Sequence, residues 1–289
     1  VVGFNKQNLG QQPSCLQSAL QGNYNKHNVK GHIMNNYAVI TGASAGLGAE
    51  FSKQLAAKGL NLVLIARRLE KLEQAAAQLS NEYGVDVKVL AADLSQPDAP
   101  SLIYQFCESE SVTVSWLVNN AGVAGEDLIT ERDWNKHASF YQLMMTSVAH
   151  LCHLFAPAMI ANKEGHILNI ASVAGRIPRS GGCNYGPSKA YIVALSEDLA
   201  LTLAPHGVKV SALCPGYTHT DFHETAGLSE MKAKMPSWLW YDASTVVSEG
   251  ITALEKGKSV YVSGRLYRWI DPILQSVWTR RFFKIPARI

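Results

Sequence analysis

The chain has 289 residues, 47% of them hydrophobic, which is enough to bury one sizeable core and excludes a disordered or fibrous protein. Charged residues make up 17%, and 26 basic against 23 acidic side chains leave a formal charge of +3, too weak a footprint for a nucleic-acid partner. The five cysteines (Cys15, Cys107, Cys152, Cys183, Cys214) are odd in number and form no C-x-x-C pair, so the expectation is a reducing compartment, the cytoplasm, and neither disulfides nor zinc.

Residues 1–33 hold ten Asn or Gln, three Lys and no Arg, and the first acidic residue is Glu50. Lacking an apolar signal region, this stretch reads as a weakly structured extension or an appended leader. From Tyr37 onward, short apolar runs alternate with stretches of helical period, the pattern of βαβ units. Strands are expected at Tyr37 to Thr41, Asn61 to Ala66, Val85 to Ala91, Ser115 to Val118, His166 to Ala171, Lys209 to Cys214 and Ser259 to Val262. Helices are expected at Leu47 to Ala57, Leu69 to Tyr83, Ala99 to Glu108, Glu131 to Ala161, Ser188 to Ala204 and Ser244 to Glu255. The uncharged run Ala138 to Asn162 is long enough to span a membrane, but Gln142, Thr146, His150, His153 and Pro157 make it a buried helix instead. The fold expected is a single α/β domain over 34–264, a Rossmann-type doubly wound parallel sheet of about seven strands flanked by helices, with ligands beyond the strands' carboxyl ends. A substrate lid is expected near 217–243 and a separate tail over 265–289.

After the first strand comes Thr41-Gly42-Ala43-Ser44-Ala45-Gly46-Leu47-Gly48, whose glycines permit a tight turn and close approach of backbone amides to a pyrophosphate. The spacing alone is a weak signal; its place between strand and helix strengthens it. A carboxylate for the ribose hydroxyls of NAD is expected at the end of the second strand, yet Arg67 and Arg68 stand there. Two guanidiniums suit a 2′-phosphate, so NADP(H) is preferred over NAD(H).

Ser172 precedes Tyr185 by thirteen residues, and Lys189 follows four later, on the same helical face. A lysine cation favours the phenolate and so makes the tyrosine a usable acid, while the serine can hold a carbonyl oxygen. Alone, a Tyr and a Lys four apart are an ordinary surface pair.

The glycine loop, Asn119-Asn120-Ala121-Gly122, Ser172, Tyr185 with Lys189, and Pro215-Gly216 occur in order, and together they resemble the short-chain dehydrogenase/reductase family across roughly Tyr37 to Val262. The resemblance implies cofactor contacts from Gly42, Ser44, Gly46, Leu47, Gly48, Asp93, Leu94, Asn120, Ala121, Gly122, Tyr185, Lys189, Pro215, Gly216, Thr218 and Thr220. It assigns Asp93 to adenine, Lys189 also to the nicotinamide ribose, Thr220 to the carboxamide, and to Asn119 the bracing of central strands and cofactor loop. It further implies a homodimer packed through the helices Glu131 to Ala161 and Ser188 to Ala204.

Two departures stand out. The family's water-ordering helix asparagine, thirteen residues before Pro157, falls on Met144, whose thioether is a weak acceptor and no donor. Either Ser147 or a backbone carbonyl takes over that relay, or the protein binds cofactor with weak or no turnover. Acyl-carrier-protein ketoacyl reductases usually place an arginine three residues after Asn-Asn-Ala-Gly, where this chain has Gly125; that activity is a second alternative.

On the substrate side, Val173, Cys183, Tyr217 and Trp238 predict an apolar ketone, aldehyde or secondary alcohol. His219 and His223 with Asp221 give too few ligands for a metal. In the tail, Arg265, Arg268, Arg280, Arg281 and Lys284 are interleaved with Tyr267, Trp269, Trp278, Phe282 and Phe283. The mixture suits either an anionic membrane surface or packing, with Asp271-Pro272 expected to break the segment; packing is the favoured reading.

Overall fold

The computed structural model describes residues 36–178, 183–220 and 236–279. Seven strands form a wholly parallel sheet: β1 (Asn36–Thr41), β2 (Asn61–Ala66), β3 (Val87–Ala91), β4 (Thr113–Asn119), β5 (Gly165–Ile170), β6 (Val208–Cys214) and, last in the chain, β9 (Val260–Val262). Between β6 and β9, β7 (Tyr217–His219) and β8 (Trp240–Asp242) pair in a small sheet of their own. The large sheet runs β3-β2-β1-β4-β5-β6-β9, so the strand order reverses between β1 and β4. That reversal opens the crevice in which a doubly wound fold takes its ligand.

The strands read as nearly continuous apolar runs because both faces are covered. Val39, Val63, Leu117, Ile167 and Val210 point to one side. There they meet Ile103 of α3 (Ala99–Ser109), Phe155 of α5 (Ser147–Asn162) and Ile192 of α6 (Tyr185–Leu203). Ile40, Leu62, Leu64, Val118 and Leu168 point to the other. Their partners are Phe51 and Leu55 of α1 (Gly46–Ala57), Leu72 of α2 (Leu69–Tyr83) and Val247 and Leu254 of α7 (Ala243–Glu255).

The long helix expected over Glu131 to Ala161 is instead α4 (Trp134–Tyr141), a π-helical turn Gln142–Thr146, and α5. It starts at Trp134 because Asp133 caps it, accepting from the Asn135 N–H at 3.0 Å. By length and composition Trp134–Asn162 could cross a membrane, but Leu151, Cys152, Phe155 and Met159 lie in the core beneath the sheet. The helix expected from Ser188 begins at Tyr185 itself.

In the stretch expected as a tail, α8 (Arg265–Gln275) follows β9, and Pro272 lies inside it rather than breaking it. Proline forfeits one helical hydrogen bond and crowds the preceding turn. The segment stays helical because its side chains are held by the body of the protein, as described below.

Candidate active site

At the crevice the glycine loop is shaped by what it cannot contain. Gly42 and Gly46 have φ of +67° and +55°, a region that side chains rarely adopt. A Cβ on Gly48 would stand 2.1 Å from the Gly42 carbonyl oxygen and 2.6 Å from Asn120 Nδ2. The start of α1 thus lies against its own entering loop. The helix has no side-chain cap and no acidic residue in its first turn, which leaves its amide N–H groups for an anion. Ser44 is half-buried in this turn, and Leu47 packs on the core. Thr220 closes over the loop, with its Cβ 3.4 Å from where a Gly46 Cβ would be.

Asn119 and Asn120 divide the bracing expected of Asn119 alone. Asn120 Nδ2 donates to the Thr41 carbonyl at 2.9 Å, and the Asn120 and Ala121 N–H groups donate to Thr41 Oγ1 at 2.9 and 3.0 Å. Asn119 is buried one residue deeper, with Nδ2 2.8 Å from Asn169 Oδ1, and Asn169 in turn donates to Ser196 Oγ at 2.9 Å. One asparagine fixes the cofactor loop and the other ties β4 to β5; alternate side chains of a strand point opposite ways.

Arg67 and Arg68 are exposed immediately beyond β2, with Arg68 at the N-terminal boundary of α2. Asp93 follows β3 and accepts from the Ser95 N–H at 3.0 Å. Leu94 is buried, and its carbonyl accepts from Ser147 Oγ at 2.7 Å. A groove of about 580 Å³ at the sheet edge, between β3 and α3, includes Asp93 but no residue of the glycine loop or of the serine, tyrosine and lysine set. Its position argues against it as the place of the chemistry.

Ser172 follows β5 and caps the short 3-10 turn Val173–Gly175, its Oγ accepting from the Ala174 N–H at 3.1 Å. The Val173 N–H donates to the Pro215 carbonyl at 3.0 Å, tying this turn to the loop after β6. On the other side it touches α6 backbone to backbone. A Cβ on Gly175 would stand 2.6 Å from the Ala190 nitrogen and the Lys189 carbonyl carbon, and one on Gly186 would stand 3.2 Å from the Ala174 carbonyl oxygen. These two small residues bring the serine turn onto the first turns of the helix that begins with Tyr185.

Lys189 is buried below that tyrosine, with Nζ 5.7 Å from the ring centroid and donating to the Ile170 carbonyl at 2.6 Å. Burial pushes its pKa down to about 8. Burial thus brings loss of the ammonium proton to just above neutral pH, below which Lys189 remains a cation beside the tyrosine.

Met144 lies in the π-helical turn, fully buried, its sulfur 3.2 Å from where a Gly122 Cβ would be. It accepts from the Val123 N–H at 3.4 Å. Of the two replacements expected for the missing asparagine, Ser147 is engaged elsewhere, on the Leu94 carbonyl. The Ile170 carbonyl is the group that meets Lys189.

Sequence reasoning missed a clamp on the tyrosine helix. Asn184, next to Tyr185, is buried; its Oδ1 accepts from Tyr141 at 2.7 Å, and its Nδ2 donates to the Glu126 carbonyl at 2.7 Å and to His137 Nδ1 at 2.9 Å. His137 Nε2 then faces the Glu131 carbonyl at 3.1 Å, which makes it the protonated nitrogen. No local signal marks this clamp, since its members lie on three separate segments.

Among the substrate residues, Val173 and Tyr217 are half-buried, Cys183 is an exposed thiol and Trp238 is 64% exposed. Trp240, in the stretch expected as a lid, is buried, its ring 5.2 Å from that of Tyr217 and 5.3 Å from that of His219. Thr218 is buried with Oγ1 donating to the Gly216 carbonyl at 3.2 Å, a contact that supports the loop. Asp221, Phe222 and His223 lie outside the described residues, as do residues 1–33 and Arg280, Arg281, Phe282, Phe283 and Lys284.

The helix α8 grips both halves of this region. Arg176, just after the serine turn, forms a two-pronged ion pair with Asp271 at 2.5 and 2.7 Å, and Gln275 donates to the Arg176 carbonyl. Tyr267 occupies the space beside Gly216 that a Cβ would need. Its hydroxyl donates to the Leu239 carbonyl at 3.0 Å and accepts from the Tyr217 N–H at 3.4 Å. The helix thus fastens the serine turn to β7 and β8.

Comparison with known proteins agrees with this geometry. The model of the short chain dehydrogenase family matches residues 36–230. A very-long-chain 3-oxoacyl-CoA reductase of Anas platyrhynchos is 33% identical over 64% of this chain, which spans 60% of that protein's length. A short-chain dehydrogenase from Sphingobium yanoikuyae, solved with NADPH, superposes with a TM-score of 0.73 at 30% identity, covering 81% of this chain and 91% of its own. The bulky-bulky ketone specific alcohol dehydrogenase from Comamonas testosteroni gives 0.70 at 27% identity, covering 81% and 88%. With a glycine loop at the strand reversal, a serine turn packed on the helix that carries the tyrosine and lysine, and the family model matching residues 36–230, the chain belongs to the short-chain dehydrogenase/reductase family of oxidoreductases.

Proposed function

We propose that the protein is an NADP(H)-dependent carbonyl reductase, reversible as an alcohol dehydrogenase, acting on an apolar ketone or aldehyde. The observation that carries the cofactor preference is the pair Arg67 and Arg68, exposed beyond β2 where an NAD site would need a carboxylate. The glycine loop fits the pyrophosphate, since Gly42 and Gly48 let it fold back against the start of α1, whose first turn has no side-chain cap and no acidic residue to compete with an anion. When bound, the reduced nicotinamide supplies the hydride. Ser172 holds the substrate oxygen by hydrogen bond, Tyr185 delivers the proton to it, and the Lys189 cation stabilises the phenolate left behind. The Ile170 carbonyl orients Lys189 for this role, and because Ser172, Tyr185 and Lys189 carry the chemical step themselves, Met144 is compatible with turnover.

The Sphingobium relative solved with NADPH supports the cofactor, and the bulky-ketone enzyme supports a ketone substrate with bulky groups on both sides of the carbonyl. The duck relative's name favours a second reading within the same chemistry, a long-chain 3-oxoacyl thioester. Oxidation of NADPH and of NADH is to be measured across aryl and alkyl ketones, aldehydes and 3-oxoacyl thioesters. Turnover with NADPH on ketones supports the proposal, turnover confined to thioesters selects the second reading, and equal rates with NADH refute the cofactor preference. Tight NADPH binding without oxidation of any of them would leave a cofactor-binding protein.

A further inference from the structure

The helix α8 is fastened by one side only. Tyr267, Arg268, Asp271 and Gln275 bond to the body of the protein. The other side carries Arg265, Trp269 and Ile273 at four-residue spacing, followed by Val277 and Trp278 just past the helix. Trp269 is 81% exposed, Val277 83%, Trp278 76% and Ile273 48%. Single exposed apolar side chains are ordinary, but a run of this kind with two indoles marks a surface that something covers.

The charge beside this ridge identifies the partner. Between Pro272 and Ile289 there is no Asp or Glu, while Arg280, Arg281, Lys284 and Arg288 are basic. Asp271, the acid of α8, is already taken by Arg176. An apolar ridge whose chain runs on into a sequence with four basic and no acidic residues complements an anionic lipid surface, where indoles lie at the headgroup boundary and basic side chains meet phosphates. A second copy of the chain fits less well, because a chain of formal charge +3 offers no acidic excess to complement a basic segment.

We propose that the outer side of α8 and residues 276–279 after it dock the protein on an anionic membrane surface through Trp269, Ile273, Val277 and Trp278. The inference is independent of the reaction. The opposite side of the helix stays on the serine turn, so docking leaves the active site assembled.

Co-sedimentation of the full chain with phosphatidylcholine vesicles, with and without phosphatidylglycerol, tests the proposal. Binding at least about tenfold tighter to the anionic vesicles is expected, weakened by about 0.5 M salt. The variant Trp269→Glu/Trp278→Glu should lose that binding by about tenfold or more while keeping its melting temperature; if it does not fold, Trp269→Ser alone serves. The proposal is overturned if the full chain ignores anionic vesicles or if the folded variant binds as well as the parent. It is equally overturned if the variant changes a dimer to a monomer in sedimentation with vesicle binding unaltered, which would reassign the ridge to self-association.

Discussion

From β1 to β4 the site is built of backbone, and from β5 to α8 it is built of side chains reaching across the chain. In the first region the decisive features are missing atoms, the absent Cβ of Gly42 and Gly48, and amides held by Asn120 and Thr41. In the second, the serine turn is held by an ion pair to Asp271 and by Tyr267 over Gly216, and the tyrosine helix by the Asn184 clamp. A cradle of backbone fits the invariant part of a ligand, its pyrophosphate, whereas side-chain props allow the substrate half to be reshaped without disturbing it. Binding and chemistry should therefore be separable by mutation.

The largest effect on binding is expected in the first region. Replacing Arg67 and Arg68 by Ala should weaken NADPH binding by about 2 to 4 kcal/mol, the scale of lost charged hydrogen bonds, and leave NADH binding nearly unchanged. Calorimetric titration of both cofactors measures it. Equal weakening would make the arginines structural and erase the distinction of roles between Arg67, Arg68 and the glycine cradle.

A smaller effect is expected at the far prop. Asp271→Ala leaves the Arg176 guanidinium, 17% exposed, without its partner, at a cost of about 1 to 3 kcal/mol. The expected outcome is a fall in kcat of about tenfold with the NADPH dissociation constant within about twofold, partly restored by Asp271→Glu. A uniform loss of both would show that α8 supports the whole fold and not the serine turn.

How much of this was legible follows from distance along the chain. The glycine loop and the trio Ser172, Tyr185 and Lys189 could be read because each depends on local spacing and on strand-to-helix placement. Arg176 and Asp271 are 95 residues apart, and Asn184 meets His137 from 47 away, so neither contact leaves a periodic trace. The π-helical turn at Met144 was equally hidden, because its sequence continues an apolar helical pattern on both sides. Pro272 was read as a break by its own propensity, yet the bonds of Asp271 and Gln275 to Arg176 hold the helix through it.

A further effect concerns pH. Burial lowers the Lys189 pKa from the ordinary 10.5 to about 8 in the folded protein. Between these values the unfolded chain binds more protons, so the cofactor-free protein should gain stability as pH rises from about 8 toward 10.5. Lys189→Met should lack that rise in melting temperature. Reduction by the parent enzyme should slow a few-fold above pH about 8, as the lysine cation that stabilises the phenolate is lost. A flat profile would show that Lys189 does not titrate in this range.

Tyr185→Phe, assayed for NADPH binding and for ketone reduction in parallel, tests the central claim most directly. The account predicts a cofactor dissociation constant raised no more than about tenfold, the scale of one lost hydrogen bond, and a turnover lower by about 10² to 10⁴, the contribution of a positioned general acid. Turnover that survives in Tyr185→Phe would contradict the assignment of the proton to this residue, and with it the claim that chemistry resides in the second region.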